Sequence, residues 1–255
     1  MPNTLRLLPA IALLTLAAAC SGKAPEPSAP PANAKHVDAS KAGNVAGRVV
    51  LEGAVPENPR IKLEADPYCL RAHPDGARLE NFVVSNGGLE NVFVYVKDGL
   101  GDYYFDVPTE PVKLDQAGCL YVPHVTGLRV KQPLEISNSD ETLHNVHAMG
   151  QVNAQFDVSQ AMKKMTNTKT FNAREVMVPF KCEVHNWMRA YVGVLDHPYF
   201  AVTHDGGKFE LKGLPAGTYT VEAWHEKLGT ETQSVTLGEK ESKEISFTFK
   251  SAATK

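Results

Sequence analysis

The chain has 255 residues, a formal net charge of -3 at pH 7 and 43% hydrophobic residues. Nucleic acid is not expected as a partner, because the sequence has neither a basic patch nor a basic run. About 210 residues follow the N-terminal leader and linker described below, enough for one large or two small domains.

Residues 1–19, MPNTLRLLPAIALLTLAAA, have the pattern of a secretory signal peptide. Arg6 is the early cation, an apolar run extends from Leu7 to Leu16, and small residues precede Cys20. The apolar run is too short and too close to the N-terminus to be a membrane-spanning helix. The leader therefore predicts export, and export decides which chemistry the cysteines can have.

The sequence LAAAC, followed by SGKAPEPSAPPANAK, resembles a bacterial lipoprotein signal. The resemblance implies that Cys20 is lipidated and anchors a periplasmic protein to a membrane. Ser21 slightly favours the outer membrane. Ala17 stands where the family usually has Leu, so a conventional secreted protein cleaved nearby is the alternative. Residues 20–44 are rich in Pro, Ala, Lys and Ser and predict a flexible linker that cannot bury enough apolar surface to fold.

Short runs of β-branched and aromatic residues recur after the linker, separated by Gly, Pro, Asn and Asp. Several of them alternate, as at Ile245, Phe247 and Phe249, which is the period of half-buried strands. The best helical candidate is the short segment 158–165, VSQAMKKM. The fold class predicted for the chain is therefore all-β, with sandwich architecture.

The four cysteines have different expected fates. With Cys20 assigned to lipid, two of the remaining three should pair in an oxidising compartment. Cys69 and Cys119 have no closely spaced ligand cluster, so a disulfide between them is predicted, and Cys182 is left unpaired. The alternative is a second metal site formed by four side chains: Cys69, His73, Cys119 and His124.

Cys182, His185 and Met188 follow one another at three-residue steps between two strand-like runs. Thiolate, imidazole and thioether form a soft, mixed ligand set that suits copper, especially Cu(I). A trigonal site needs a second imidazole. The strand-like segment ending at Ser137 leads through a polar turn to His144, which could supply that imidazole.

The loop CEVHNWM resembles the ligand loop of cupredoxins, the small blue copper proteins, and its length is similar to the short loop of amicyanin. LHNV fits as well, because cupredoxins follow the upstream copper histidine with an asparagine, and Asn145 stands in that place. The resemblance implies a Greek-key β-sandwich over residues 111–196 that binds one type 1 copper ion. The implied equatorial ligands are His144, Cys182 and His185, with Met188 as the weak axial ligand and Asn145 as a hydrogen-bonding residue next to the site.

The function implied by this resemblance is one-electron transfer, without enzymatic activity, to periplasmic redox proteins such as c-type cytochromes. His185 would reach the surface inside an apolar patch, for which Trp187 and Tyr191 are candidates. A copper carrier or resistance lipoprotein without redox cycling is the alternative, in which His147 and the nearby methionines would matter. Zinc is the main competing metal, with the set His144, His147, Cys182 and His185.

Residues 200–226 resemble the second half of a carboxypeptidase regulatory-like domain, with a D-G-G turn and an LPAG turn. NVAGRVVLEGAVPEN and LENVFVYVKDG resemble the first strands of the same domain. We therefore expect an N-terminal β region over 45–110 and a C-terminal one over 197–250 that together form a smaller sandwich around the cupredoxin unit. Separate consecutive domains are the alternative.

Overall fold

The structure is a computed structural model that describes residues 32–251. The predicted signal peptide, Cys20 and the first part of the linker lie outside the described residues. Strand β1 (Gly43–Glu52) begins two residues inside the predicted linker, and Lys35 forms an isolated bridge with Tyr103. Across the part of the chain that is described, no helix is long and apolar enough to cross a membrane.

The described residues contain one short helix, α1 (Pro67–Ala72), and β-strands that account for nearly all the other regular structure. The predicted all-β class is confirmed. After β1, the first half of the chain has β2 (Val84–Ser85), β3 (Gly88–Leu89), β4 (Phe93–Asp98), β5 (Val112–Ala117), β6 (Leu120–Val122), β7 (Val125–Arg129), β8 (Leu134–Asn138) and β9 (His144–Ala148). The second half has β10 (Phe156–Gln160), β11 (Thr166–Lys169), β12 (Glu175–Lys181), β13 (Arg189–Leu195), β14 (Phe200–Val202), β15 (Lys208–Leu214), β16 (Gly217–His225), β17 (Gly229–Leu237) and β18 (Ser242–Lys250).

Strands β5 to β13 form two facing sheets, which we call the central sandwich. One sheet has the order β10-β9-β12-β13-β7 and the other β11-β8-β5-β6. Their inner faces share one buried apolar cluster that includes Leu114, Ile136, Phe180 and Val192. Burial of alternate side chains from both sheets therefore holds the central sandwich together.

The remaining strands form a second pair of sheets, which we call the flanking sandwich. Its sheets have the orders β15-β1-β3-β2, with β18 also paired to β1, and β14-β4-β16-β17. Strand β1 pairs antiparallel with β15, with Val45 opposite Leu211, and parallel with β18, with Val49 opposite Phe247. Strands near the two ends of the chain thus share one sheet, and the central sandwich lies between β4 and β14 in the sequence. The likeness of this sandwich to a carboxypeptidase regulatory-like domain stays a prediction.

The best helical candidate, 158–165, does not form a helix. Residues up to Gln160 belong to β10, where Val158 pairs with Val146 of β9, and the segment then turns, with Lys164 at a φ of 70°, in the left-handed region. Pairing with a neighbouring strand overrides the moderate helix propensity of the segment. The helix that forms, α1, has Asp66 as its N-cap and Pro67 in its first turn, which is a local start signal.

The two sandwiches touch through an aromatic cluster that includes Phe93 of β4 and Phe200 of β14. These rings lie against the backbone of Gly127 and Gly193 in the central sandwich, where an added Cβ would collide with them. The absence of a side chain at these two positions is therefore what allows the sheets to approach so closely.

We expect Gly193→Ala to lower the free energy of unfolding by about 1–3 kcal/mol, because the new methyl group must displace the Phe93 ring. Gly238→Ala is the matched control, since only the flexible end of Glu241 lies close to that position. Chemical denaturation of both variants measures the difference. Equal free energies of unfolding for the two variants would show that the approach of Phe93 to Gly193 does not restrict the side chain at that position.

Candidate metal centre

The side chains predicted as ligands come from two places in the central sandwich. His144 is the first residue of β9, whereas Cys182, His185 and Met188 lie on the connection from β12 to β13. Two hydrogen bonds close this connection into a tight loop: Cys182 N–H donates to the Met188 carbonyl at 3.2 Å, and Met188 N–H donates to the His185 carbonyl at 2.9 Å. All four side chains are buried, with exposed fractions of 2% or less.

Three of the four predicted ligands converge on one point. His144 Nδ1 and His185 Nδ1 are 3.0 Å apart, and Cys182 Sγ is 3.9 Å from His185 Nδ1. Each of the three donor atoms lies within 4.8 Å of the other two. Met188 is buried in the same cluster as Cys182, and its role as axial ligand stays a prediction.

The Cys182 sulfur accepts two backbone hydrogen bonds, from Asn145 N–H at 3.4 Å and from His185 N–H at 3.3 Å. Burial raises the pKa of this thiol, but hydrogen bonds from His144, His185 and these two amides outweigh it and lower the pKa to about 6. Cys182 is the one free cysteine among residues 32–251, and its lowered pKa favours the thiolate form that binds metals.

Asn145 also ties the two ligand segments together. Its side-chain Oδ1 accepts a hydrogen bond from Glu183 N–H at 3.1 Å, across to the loop that follows Cys182. The Tyr121 hydroxyl adds a second tie, because it donates to the Asn145 carbonyl at 2.7 Å and to the Lys181 carbonyl at 3.2 Å. The strand that begins with His144 and the loop that starts at Cys182 are thus fixed relative to each other.

Each imidazole has a carboxylate on its far side. His144 Nε2 is 2.8 Å from Asp140 Oδ2, and His185 Nε2 is 3.1 Å from Asp66 Oδ2. A carboxylate only accepts, so Nε2 of each ring carries a proton and donates it. Burial lowers the pKa of His144, but the bond to Asp140 and the nearby Cys182 outweigh it and raise the pKa to about 9.

The sequence pattern did not predict either carboxylate. Burial raises the pKa of Asp66, yet hydrogen bonds from Thr142 and His185 outweigh it and lower the pKa to about 2. Asp140 stands four residues before His144, a spacing that offered a weak local signal. Asp66 is separated from His185 by more than a hundred residues, so no local pattern relates the two.

Residues 66–69 and the disulfide from Cys69 to Cys119 form what we call the cap. Cys69 Sγ lies 3.6 Å from His185 Nε2. The ring of Trp187 lies 5.0 Å from the ring of His185 and donates its indole N–H to the Cys119 carbonyl at 3.0 Å. His185 is only 2% exposed under this cover, so the expectation that it reaches the surface is wrong. The physical reason is that a segment from outside residues 111–196 packs over the ligand loop.

The predicted disulfide is present, and the alternative metal site that used its cysteines is wrong. Both sulfurs are consumed in the disulfide, while His73 Nε2 contacts the Gly118 carbonyl and His124 pairs with Glu226. The Tyr191 hydroxyl contacts Glu226, and an apolar patch formed by Tyr191 and Trp187 stays a prediction.

The remaining candidates for metal binding lie outside the buried triad. His147 pairs through Nδ1 with Glu183 at 2.6 Å and belongs to a separate, largely exposed group with Asp157. Met162 is 67% exposed. The four-residue zinc set with His147 is therefore not brought together.

The donor set fits a soft or borderline metal ion. A thiolate and two imidazoles face one another in the buried core, and the lowered pKa of Cys182 with the raised pKa of His144 favours a proton on His144 that balances the thiolate charge. A bound cation would replace that proton, as metals do at thiolate and imidazole sites. Hard cations such as Mg²⁺ prefer oxygen ligands and fit this set poorly.

No protein-family model and no curated protein sequence matches the chain. Solved structures similar to parts of it include an amicyanin variant in its Cu(I) form, with 22% identity over 33% of this chain and 81% of that one and a TM-score of 0.30. A purple cupredoxin from Nitrosopumilus maritimus has 17% identity over 32% and 98%, with a TM-score of 0.28. A copper-containing nitrite reductase from Thermus scotoductus has 15% identity over 59% and 28%, with a TM-score of 0.33. Every one of these TM-scores is below 0.5, and the copper assignment below therefore rests on the side chains of the site.

We expect Asn145→Ala to lower the free energy of unfolding of the metal-free protein by about 1 kcal/mol, because the bond from Glu183 N–H to the amide oxygen is lost. Asn172→Ala is the control, since Asn172 is exposed and donates to Asn153 Oδ1 through its backbone N–H, which the substitution keeps. Denaturant titration measures both. A loss equal to that of the control would contradict the role of Asn145 as a tie between the segments.

Proposed function

We propose that the chain is a type 1 copper protein that transfers single electrons. His144, Cys182 and His185 would be the equatorial ligands of one copper ion, and Met188 the weak axial ligand. When bound, copper would supply one-electron redox chemistry between Cu(II) and Cu(I). The observation that carries the proposal is the convergence of two imidazole Nδ1 atoms and one thiolate within 4.8 Å in a buried core.

The surrounding structure supports this use because it keeps the ligands rigid. His144 is fixed by its strand pairing and by Asp140, and the Cys182 loop is closed by its own backbone hydrogen bonds. The two N–H donors on the Cys182 sulfur stabilise its negative charge. A ligand set that moves little when its charge changes needs little reorganisation in each electron transfer.

Location and partner belong to the same proposal. The signal at Cys20 supports a lipid anchor on the periplasmic side of a membrane, with the outer membrane slightly favoured. Weakly docking periplasmic redox proteins, such as c-type cytochromes, are the proposed partners, and the chain itself is not an enzyme. Because His185 is covered by the cap, an electron that leaves through it must pass the cap or Trp187, which packs on its ring.

The alternative function is a copper carrier or resistance protein that does not cycle the metal. A carrier must take up and release its ion readily. The burial of all four predicted ligands, and the disulfide packed over His185, favour a resident ion over a transferred one.

Adding Cu(II) to the full chain is the direct test. We expect a strong visible absorption band from thiolate-to-copper charge transfer and a reversible one-electron couple in voltammetry. A colourless protein that binds only Cu(I) would instead indicate carriage. Absence of copper binding would contradict both functions.

Two substitutions test the ligand roles. Cys182→Ser should abolish the visible band completely, because the band requires the sulfur. Met188→Leu should keep the band and raise the reduction potential, because the axial ligand tunes the potential. Met162→Leu is the matched control, since that methionine is 67% exposed and should change neither the absorption spectrum nor the potential. An unchanged potential in Met188→Leu would show that the axial assignment is wrong.

A further inference from the structure

We propose that Asp66, which lies outside the central sandwich, is a positioning residue of the copper site: its carboxylate orients His185 and favours the oxidised ion over the reduced ion. The inference rests on the proposed function, since it assigns a redox role to a contact of a predicted ligand. It adds to the predicted ligands a positioning residue that lies more than a hundred positions before His185 in the chain.

Both oxygens of the Asp66 carboxylate are engaged in hydrogen bonds. Oδ2 accepts from Thr142 Oγ1 at 2.6 Å and faces His185 Nε2 at 3.1 Å. Oδ1 accepts from the backbone N–H groups of Tyr68 at 2.7 Å and Cys69 at 3.3 Å. With both oxygens engaged, the carboxylate cannot turn away from the imidazole without breaking several hydrogen bonds.

The rest of the cap, namely Tyr68 and the disulfide, keeps Asp66 in this position. The disulfide to Cys119 fixes the first turn of α1 three residues after Asp66. The Tyr68 hydroxyl donates to Asp140 Oδ1 at 3.0 Å, and Asp140 is the carboxylate on the other imidazole. The two carboxylates, one for each histidine, are thus joined through Tyr68 into one hydrogen-bonded frame around the predicted site.

The contact with Asp66 decides which ring nitrogen of His185 is free. Nε2–H donates to the carboxylate, so Nδ1 keeps its lone pair and faces Cys182 and His144. An imidazole that donates to a carboxylate is a more basic ligand and is fixed in one tautomer. The added electron density and the nearby negative charge stabilise the more positive oxidation state.

A purely structural role for Asp66, as the N-cap of α1, can be separated from this redox role. Asn and Ser are about as good as Asp at the N-cap of a helix. Asp66→Asn and Asp66→Ser therefore keep the N-cap of α1 and remove the carboxylate. In Asp66→Asn an amide N–H can face His185 Nε2. His185 can accept that bond at Nε2 only if its proton moves to Nδ1, the atom that would bind the metal.

The full chain loaded with copper gives the main measurement. We expect Asp66→Asn and Asp66→Ser to lose about tenfold in preference for Cu(II) over Cu(I), a rise of about 59 mV in the midpoint potential. We also expect a Cu(II) chelator to remove the oxidised metal about tenfold faster. Asp38→Asn is the matched control, because Asp38 also accepts from a backbone N–H two residues later but lies in an exposed turn beside the flanking sandwich.

A second measurement does not require copper. In the metal-free protein, nitrogen NMR should find His185 protonated at Nε2, and Asp66→Asn should shift the proton toward Nδ1. Thermal unfolding of the metal-free Asn and Ser variants shows whether the helix cap is intact, and if one variant fails to fold, the other decides the question.

The outcomes separate this inference from the proposed function. If the unsubstituted protein shows the visible band and couple, but the Asp66 variants keep its potential and its tautomer, the inference about Asp66 is overturned and the copper function stands. If the unsubstituted protein shows no band, the proposed function fails, and the role of Asp66 in it fails too.

Discussion

The arrangement of this molecule depends on burying a thiolate and two imidazoles in the core of a β-sandwich. Buried polar groups cost free energy unless each of them is paired. The Cys182 sulfur accepts two backbone N–H bonds, and the two rings donate their Nε2–H groups to Asp140 and Asp66. Those partners must in turn be held, which explains the dense hydrogen bonding around Asp140 and the cap over His185.

This requirement also relates the two parts of the chain. Residues 66–69 lie between β1 and β4 in the sequence, and both of those strands belong to the flanking sandwich. The same chain segment that connects two strands of one sandwich therefore covers the predicted ligands in the other. The disulfide from Cys69 to Cys119 joins the two regions covalently, and the aromatic packing of Phe93 on Gly193 joins them without a covalent bond.

Local patterns predicted the parts of the site that are close in sequence. The three-residue steps from Cys182 to Met188 predict one tight loop, and the loop forms with its own backbone hydrogen bonds. Alternation of apolar residues predicted the strands, and counting cysteines predicted the disulfide. The segment 158–165 is the best helical candidate in a sequence with little helical signal, whereas β9 offers its first residues a strand partner that no local pattern reveals.

The sequence by itself determined the all-β class, the free thiol at Cys182 and the soft donor set, because these follow from periodicity, cysteine number and residue chemistry. Only the tertiary structure decided that β1 lies between β15 and β18, that Asp66 faces His185 and that His185 is covered. Such contacts join residues that are far apart in the chain. They form because the packing of two sandwiches and the pairing of buried charges are satisfied together, and no short window of sequence contains either condition.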